Sequence, residues 1–240
     1  MCFDIDSEPP IPRIAGAAVS HDDLVLTAAD GNTFAAFLAA PDEPATTGVV
    51  IFPDVRGLFH FYEELALRFA ERGHLAIAID YFGRTAGVAK RDAEFEFMPH
   101  VEQTTQSGVK ADAGAAVDEL RARGATSIFS IGFCFGGSAS WLAAASGFGL
   151  AGSIGFYGSP TRERGGPSVV QRAAEIDWSK FEGVKTLGVT AGASAPEVLV
   201  EEILDAFAAR YTLDVETVSG ADESGMFFPL PRQLRDNAAA

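Results

Sequence analysis

Apolar residues recur along this chain in two forms, short unbroken runs and helical stripes, and their alternation predicts a layered α/β domain. Leu24-Val-Leu-Thr27 and Thr33-Phe-Ala-Ala-Phe-Leu38 flank Asp30-Gly31, which predicts an antiparallel hairpin closed by a tight turn. Gly48-Val-Val-Ile-Phe52 and His74-Leu-Ala-Ile-Ala-Ile-Asp80 are continuous apolar runs, the pattern of parallel strands buried on both faces. Between them Tyr62, Leu65, Leu67, Phe69 and Ala70 mix with charges at helical spacing, and Val109 to Arg123 is a second amphipathic helix. Thr126-Ser-Ile-Phe-Ser-Ile131 and Leu150-Ala-Gly-Ser-Ile-Gly-Phe156 predict two more strands, separated by a small-residue helix entered at Gly137. The sum is a mostly parallel central sheet flanked by helices and opened by an antiparallel hairpin.

Thr161-Arg-Glu-Arg-Gly-Gly-Pro167 is polar and rich in breakers, the one internal boundary the pattern offers. Beyond it the alternation continues. Lys185 to Thr190 reads as a strand, Ser194-Ala-Pro-Glu197 as a capping box opening a helix to about Arg210, and Leu213 to Val218 as an alternating strand. The 240 residues suit a single domain spanning 1–240. A net charge of −15 and a pI near 4.6 argue against nucleic acid and anionic membranes as partners, leaving a small molecule. Only Cys2 and Cys134 are present, so no disulfide framework is written, and no apolar run reaches the length of a membrane span. The start, Met1-Cys-Phe-Asp-Ile-Asp, has no basic, apolar leader, and the expectation is a cytoplasmic protein, monomer or homodimer, needing no cofactor or metal.

Gly132-Phe-Cys-Phe-Gly136 changes the picture. It stands at a predicted strand-to-helix turn and puts a thiol where the G-x-S-x-G nucleophile elbow of α/β-hydrolases has a serine. The flanking glycines let strand and helix pass close together at such a turn. A helix N-terminus favours a thiolate, and a thiolate attacks ester and lactone carbonyls. The alternative is a buried structural cysteine beside a glycine-rich turn.

Four stretches in order make the first two-thirds resemble the dienelactone hydrolase family, which has the α/β-hydrolase fold. They are Phe52-Pro-Asp-Val-Arg-Gly57, Tyr62-Glu-Glu-Leu-Ala-Leu-Arg-Phe-Ala-Glu-Arg-Gly73, Ala78-Ile-Asp-Tyr-Phe-Gly-Arg84 and Gly132-Phe-Cys-Phe-Gly-Gly137. The resemblance implies a cysteine nucleophile at Cys134 and an acid at Asp54 that meets the resting thiol. It also implies an oxyanion hole from the backbone N–H groups of Phe135 and the Val55 region, and an arginine at Arg84 that receives a substrate carboxylate. Read by themselves, Asp54 is equally a helix cap or solvated loop acid, and Arg84 a loop arginine paired to a nearby acid.

The family pattern calls for a downstream acid and histidine, but the four histidines, His21, His60, His74 and His100, all precede Cys134. His21 and His100 are expected at the surface. The tail instead resembles the C-terminal end of hydroxymethylbutenyl diphosphate reductase, an iron–sulfur enzyme. The matching text is Glu175-Ile-Asp-Trp178, Val184 to Val200 with Thr190-Ala-Gly-Ala-Ser-Ala-Pro196 inside it, and Phe227 to Arg235. In that family the serine at the Ser194 position contacts a diphosphate and three cysteines elsewhere hold the cluster; those cysteines are absent here. The chain thus reads as a fusion joined at about 161–166. Laid on the hydrolase pattern, Ser194 falls at the triad acid position and Glu223 at the histidine position. The expectation is an esterase or lactonase, impaired by loss of the triad histidine and aspartate, with a non-catalytic scaffold or small-anion-binding protein as the alternative.

Overall fold

The computed structural model describes residues 6–159, Trp178 and residues 197–216. The chain divides into two compact units, Met1–Ile203 and Leu204–Ala240. The first holds a six-stranded sheet ordered β1-β2-β4-β3-β5-β6. The hairpin strands β1 (Val19–Thr27) and β2 (Thr33–Pro41) pair antiparallel in the register Thr27 to Thr33, closing at Asp30-Gly31. Strand β2 joins β4 (Leu75–Ile79) antiparallel, and from there β3 (Thr47–Phe52), β5 (Ser127–Phe133) and β6 (Gly152–Phe156) continue in parallel. This is the mostly parallel sheet with an opening hairpin that the alternation predicts, and the α/β-hydrolase architecture that the resemblance implies.

Period-two geometry explains the two cores. Leu75, Ile77 and Ile79 of β4, with Val50 and Phe52 of β3, face α4 (Gln106–Ala122) and α5 (Phe135–Ala144). Ala76, Ala78, Val49 and Ile51 face α1 (His60–Ala70), which lays Phe61, Tyr62, Leu65 and Ala66 on them. Two short helices, α2 (Gly83–Ala86) and α3 (Met98–Gln103), interrupt the β4-to-α4 connection; the apolar pattern predicts neither. Helix α4 is capped by Thr105, whose hydroxyl accepts from the Gly108 amide. Strand β6 forms where the sequence predicts it, and as the edge strand of the described sheet it leaves Ile154 and Phe156 45% and 44% exposed.

The helix predicted after the Ser194 box begins on time, as α6 (Glu197–Ala208). The strand expected at Leu213 to Val218 does not form over its described part. Residues 211–216 are irregular, with Leu213 and Val215 exposed, since alternation stabilises a strand only where another strand pairs with it. The predicted strand at Lys185 to Thr190 and the apolar piece at Met226 to Leu230 lie outside the described residues.

A polar knot ties the hairpin turn to the helical layer. Arg84 of α2 pairs with Asp112 of α4 at 2.8 Å and with Asp30 of the turn at 2.9 Å, and Asn32 donates to Asp112 Oδ1 at 3.0 Å. Asp112 is 1% exposed, and its Oδ2 is buried without a hydrogen-bond partner. Burial pushes the Asp112 carboxyl up to about 6, against the Asn32 hydrogen bond and the Arg84 charge; Asp30 and Asp80 add to the rise. A carboxyl with a raised folded pKa takes up a proton on folding between its ordinary range and about 6, so its contribution to stability falls as pH rises through that window. Urea unfolding at pH 5 and pH 7 is expected to show this: the native chain loses stability relative to Asp112→Asn as pH rises.

Candidate active site

The sheet register brings the predicted chemistry to one edge. Phe52 is level with Gly132, and Phe133 with Phe156, so the carboxyl ends of β3, β5 and β6 stand side by side. Asp54 follows β3, Asp80 and Tyr81 follow β4, Cys134 follows β5 and Tyr157 follows β6. This is the edge where open α/β sheets place their ligands.

Cys134 is the N-cap of α5 with φ 55° and ψ −113°. The helix therefore starts at Phe135, two residues before the Gly137 that the sequence suggests, because the cysteine itself makes the turn. Among the described residues only Cys134 and Tyr157 are non-glycine residues with positive φ, and the Cys134 amide donates to Phe156 O, just before Tyr157, at 2.9 Å. Strain held at two neighbouring positions beside a cavity is the pattern of functional sites. The flanking glycines are steric necessities: a Cβ on Gly132 would lie 1.9 Å from Gly136 O, and one on Gly136 2.0 Å from Phe52 O.

Beside the thiol lies a cavity of about 170 Å³, lined by Cys134, Ser138, Tyr157 and Ser159 on the elbow side and by Thr105 and Val109 of the α4 entrance. Ser138 fixes the segment after β6 by donating to Ser159 O at 3.0 Å and accepting from the Ser159 amide at 2.8 Å. The motif pattern does not single out Tyr157, Ser138 or Ser159; the clue is their place directly after a strand end or within the elbow helix.

Asp54 is fully buried, which removes the solvated-acid reading. Its carboxylate accepts from the Arg56 amide at 2.9 Å and pairs with the Arg56 guanidinium at 3.2 Å, and that guanidinium lies 4.8 Å over the Phe59 ring. Two buried tyrosines border this loop. Tyr81 donates to Pro53 O at 2.8 Å and packs against Phe135 with ring centroids 4.8 Å apart and the rings tilted by 59°, and Tyr62 accepts from the Asp54 amide at 2.8 Å. Burial holds both phenols well above their ordinary range, and the Asp54 charge adds to it, so both hydroxyls remain protonated. The Cys134 charge also reaches Tyr81.

Arg84 is held by Asp112, Asp30 and the Gly108 carbonyl, and it is not among the residues lining the cavity. Its environment matches the alternative of an arginine paired to nearby acids. Among the histidines, His21 and His60 are exposed and His74 is half-buried. His100, expected at the surface, instead stacks on Phe95 at 5.1 Å with its Nδ1 buried. An imidazole beside a phenylalanine ring is covered by it, which residue type alone does not reveal. No histidine lines the cavity. Ser194 and Glu223 lie outside the described residues. No group of acids, cysteines and histidines among the described residues could hold a metal ion, and no described helix is long and apolar enough to cross a membrane.

The profile of the dienelactone hydrolase family matches residues 34–179, more than half of the chain. The chain belongs to the dienelactone hydrolase family. A solved dienelactone hydrolase from Klebsiella pneumoniae shares its fold, with a TM-score of 0.62 and 22% identity over 80% of this chain and 81% of that one. The solved protein m3DLH has a TM-score of 0.52 and 26% identity over 62% of this chain and 63% of its own. This dienelactone hydrolase family member carries a second match from residue 161 to 208, to the profile described as LytB protein. Over its C-terminal part it is 67% identical over 72 residues to 4-hydroxy-3-methylbut-2-enyl diphosphate reductase 1 of Bradyrhizobium diazoefficiens, covering 30% of this chain and 22% of that protein. It is 66% identical over 71 residues to reductase 2 of Rhodopseudomonas palustris, again covering 30% and 22%. The chain thus spans about a fifth of the length of these curated relatives, and the two profile matches overlap over residues 161–179.

Proposed function

We propose that this chain is an ester or lactone hydrolase that uses Cys134 as nucleophile and is slowed at deacylation by the lack of a histidine base. The observation that carries this reading is the strained Cys134 turn at the N-terminus of α5, opening on a cavity at the carboxyl edge of the sheet. The Cys134 thiolate adds to the acyl carbonyl, and the developing oxyanion is met by the N–H groups of Val55 and Phe135. Collapse expels the alcohol and leaves a thioester on Sγ, which water hydrolyses to the acid and the thiol. Asp54, one loop away, is the acid that meets the resting thiol. Arg84 receives an anionic acyl substrate only by releasing one of its two carboxylate partners, which makes it a selective rather than an open receptor.

Glu223 is the proposed replacement base for hydrolysis of the thioester, and Ser194 takes the place of the triad acid or receives an anionic substrate group. A carboxylate favours the protonated thiol and is a poorer base than imidazole, so deacylation is the slow step. With p-nitrophenyl acetate the reading predicts one rapid equivalent of p-nitrophenolate per chain, followed by slow release. Glu223→Gln should leave the rapid phase intact and reduce the slow phase about tenfold. An unchanged slow phase would remove Glu223 from the mechanism, and loss of proportion between rapid phase and chain concentration would remove the covalent step. The absence of a histidine from the cavity lining favours a second reading, a non-catalytic scaffold that binds small anions; this predicts no rapid phase at all.

A further inference from the structure

We infer that Tyr62 and Tyr81 are positioning residues that aim the Val55 amide at the oxyanion, by clamping both polar ends of the single peptide unit that joins Pro53 to Asp54. The inference rests on the acyl-transfer reading above. The carbonyl of that unit accepts from Tyr81 Oη and its N–H donates to Tyr62 Oη, each at 2.8 Å and each buried. The tyrosines come from different elements, Tyr62 from α1 and Tyr81 from the end of β4, so the peptide is held from two directions.

The following groups are fixed as firmly. The Asp54 carbonyl accepts from the Gly57 amide at 3.1 Å, which closes a turn and sets the plane of the peptide joining Asp54 to Val55. The Arg56 amide donates to Asp54 Oδ1 at 2.9 Å and the Leu58 amide to Asp80 Oδ1 at 3.1 Å. Of the five consecutive amides from Asp54 to Leu58, the Val55 N–H is the one without an acceptor among the described residues. Asp54 and Gly57 are buried while Val55 is half-buried, so its N–H, left over between four fixed neighbours, is a donor open to a ligand oxygen. The loop lies against the elbow: a Cβ on Gly136 would meet Phe52 O at 2.0 Å and Pro53 O at 2.2 Å, and the Tyr81 ring packs against that of Phe135, whose own amide is the other proposed donor. Tyr81 therefore touches both halves of the hole, holding the Pro53 carbonyl with its hydroxyl and Phe135 with its ring. Burial keeps both phenols protonated, so the clamp does not open in mildly alkaline solution.

The test compares two reactions of one thiol. Acylation of Cys134 by p-nitrophenyl acetate passes through an oxyanion; alkylation by iodoacetamide, a displacement at carbon, does not. Tyr81→Phe should slow acylation about tenfold while changing the alkylation rate by less than about twofold, because a donor shifted out of line loses stabilisation only in the oxyanion reaction. Tyr62→Phe repeats the test from the other end of the peptide and should give the same split. The alkylation rate also reports that the elbow is still folded. Unchanged acylation, or an equal fall in both reactions in both variants, overturns the inference. A native chain that iodoacetamide alkylates but p-nitrophenyl acetate does not acylate overturns the hydrolase reading instead, and the inference with it.

Discussion

Gly136→Ala is expected to destabilise the chain by more than about 4 kcal/mol, enough to leave it largely unfolded at room temperature. The added Cβ would stand 2.0 Å from Phe52 O and 2.2 Å from Pro53 O, both backbone atoms at the end of a central strand. Neither can retreat without breaking the β3 pairing with β4 and β5. Gly114→Ala is the control. It lies inside α4, where a new Cβ would meet only the Phe148 ring at 3.3 Å, and alanine is the better helix former by roughly 1 kcal/mol. Its stability should remain within about 1 kcal/mol of native. Urea titrations of the two variants check the contrast; equal effects would mean that the elbow is not packed as described.

Cys134→Ala carries the largest expected effect on reactivity: the rapid release of p-nitrophenolate should fall at least about a thousandfold, to the background of the buffer. The substitution removes one sulfur atom from a half-buried position and keeps a Cβ, so the turn and the fold should persist. The helix N-terminus and the oxyanion donors remain in the variant, and any surviving rate measures what they do for water alone. Equal rates for native and variant would leave the strained turn as a structural feature and support the scaffold reading.

The parts of this fold that the sequence foretold are those where burial is two-sided. Strands β3 and β4 are apolar throughout because α1 covers one face and α4 the other, and no other pattern satisfies both. The hairpin was legible at its turn and in the apolar halves of its strands, Leu24–Thr27 and Thr33–Leu38, but β1 reaches back to Val19 through His21, Asp22 and Asp23, whose pairing with β2 is a matter of backbone hydrogen bonds rather than of apolar pattern. Leu213 to Glu216, the described part of a predicted alternating strand, shows the converse, an alternating pattern without a strand. At the site, Cys134 was legible because it stands between the glycines that its turn requires, and Asp54 because it lies within the Phe52–Gly57 motif. Tyr62 and Tyr81 were not, since a tyrosine within an apolar stretch reads as core until the partner of its hydroxyl is known. The surroundings of Arg84 were hidden for a related reason. Asp30 and Asp112 are far from it in sequence, and only the fold brings three charges to one place.

The measurement that bears most directly on the central claim is the mass of the native chain after brief exposure to p-nitrophenyl acetate, followed by location of any added group. One acetyl group per chain is expected, on the peptide that carries Cys134, lost slowly on standing and absent from Cys134→Ala. A folded chain whose Cys134 stays unmodified while other residues are acetylated would contradict that claim.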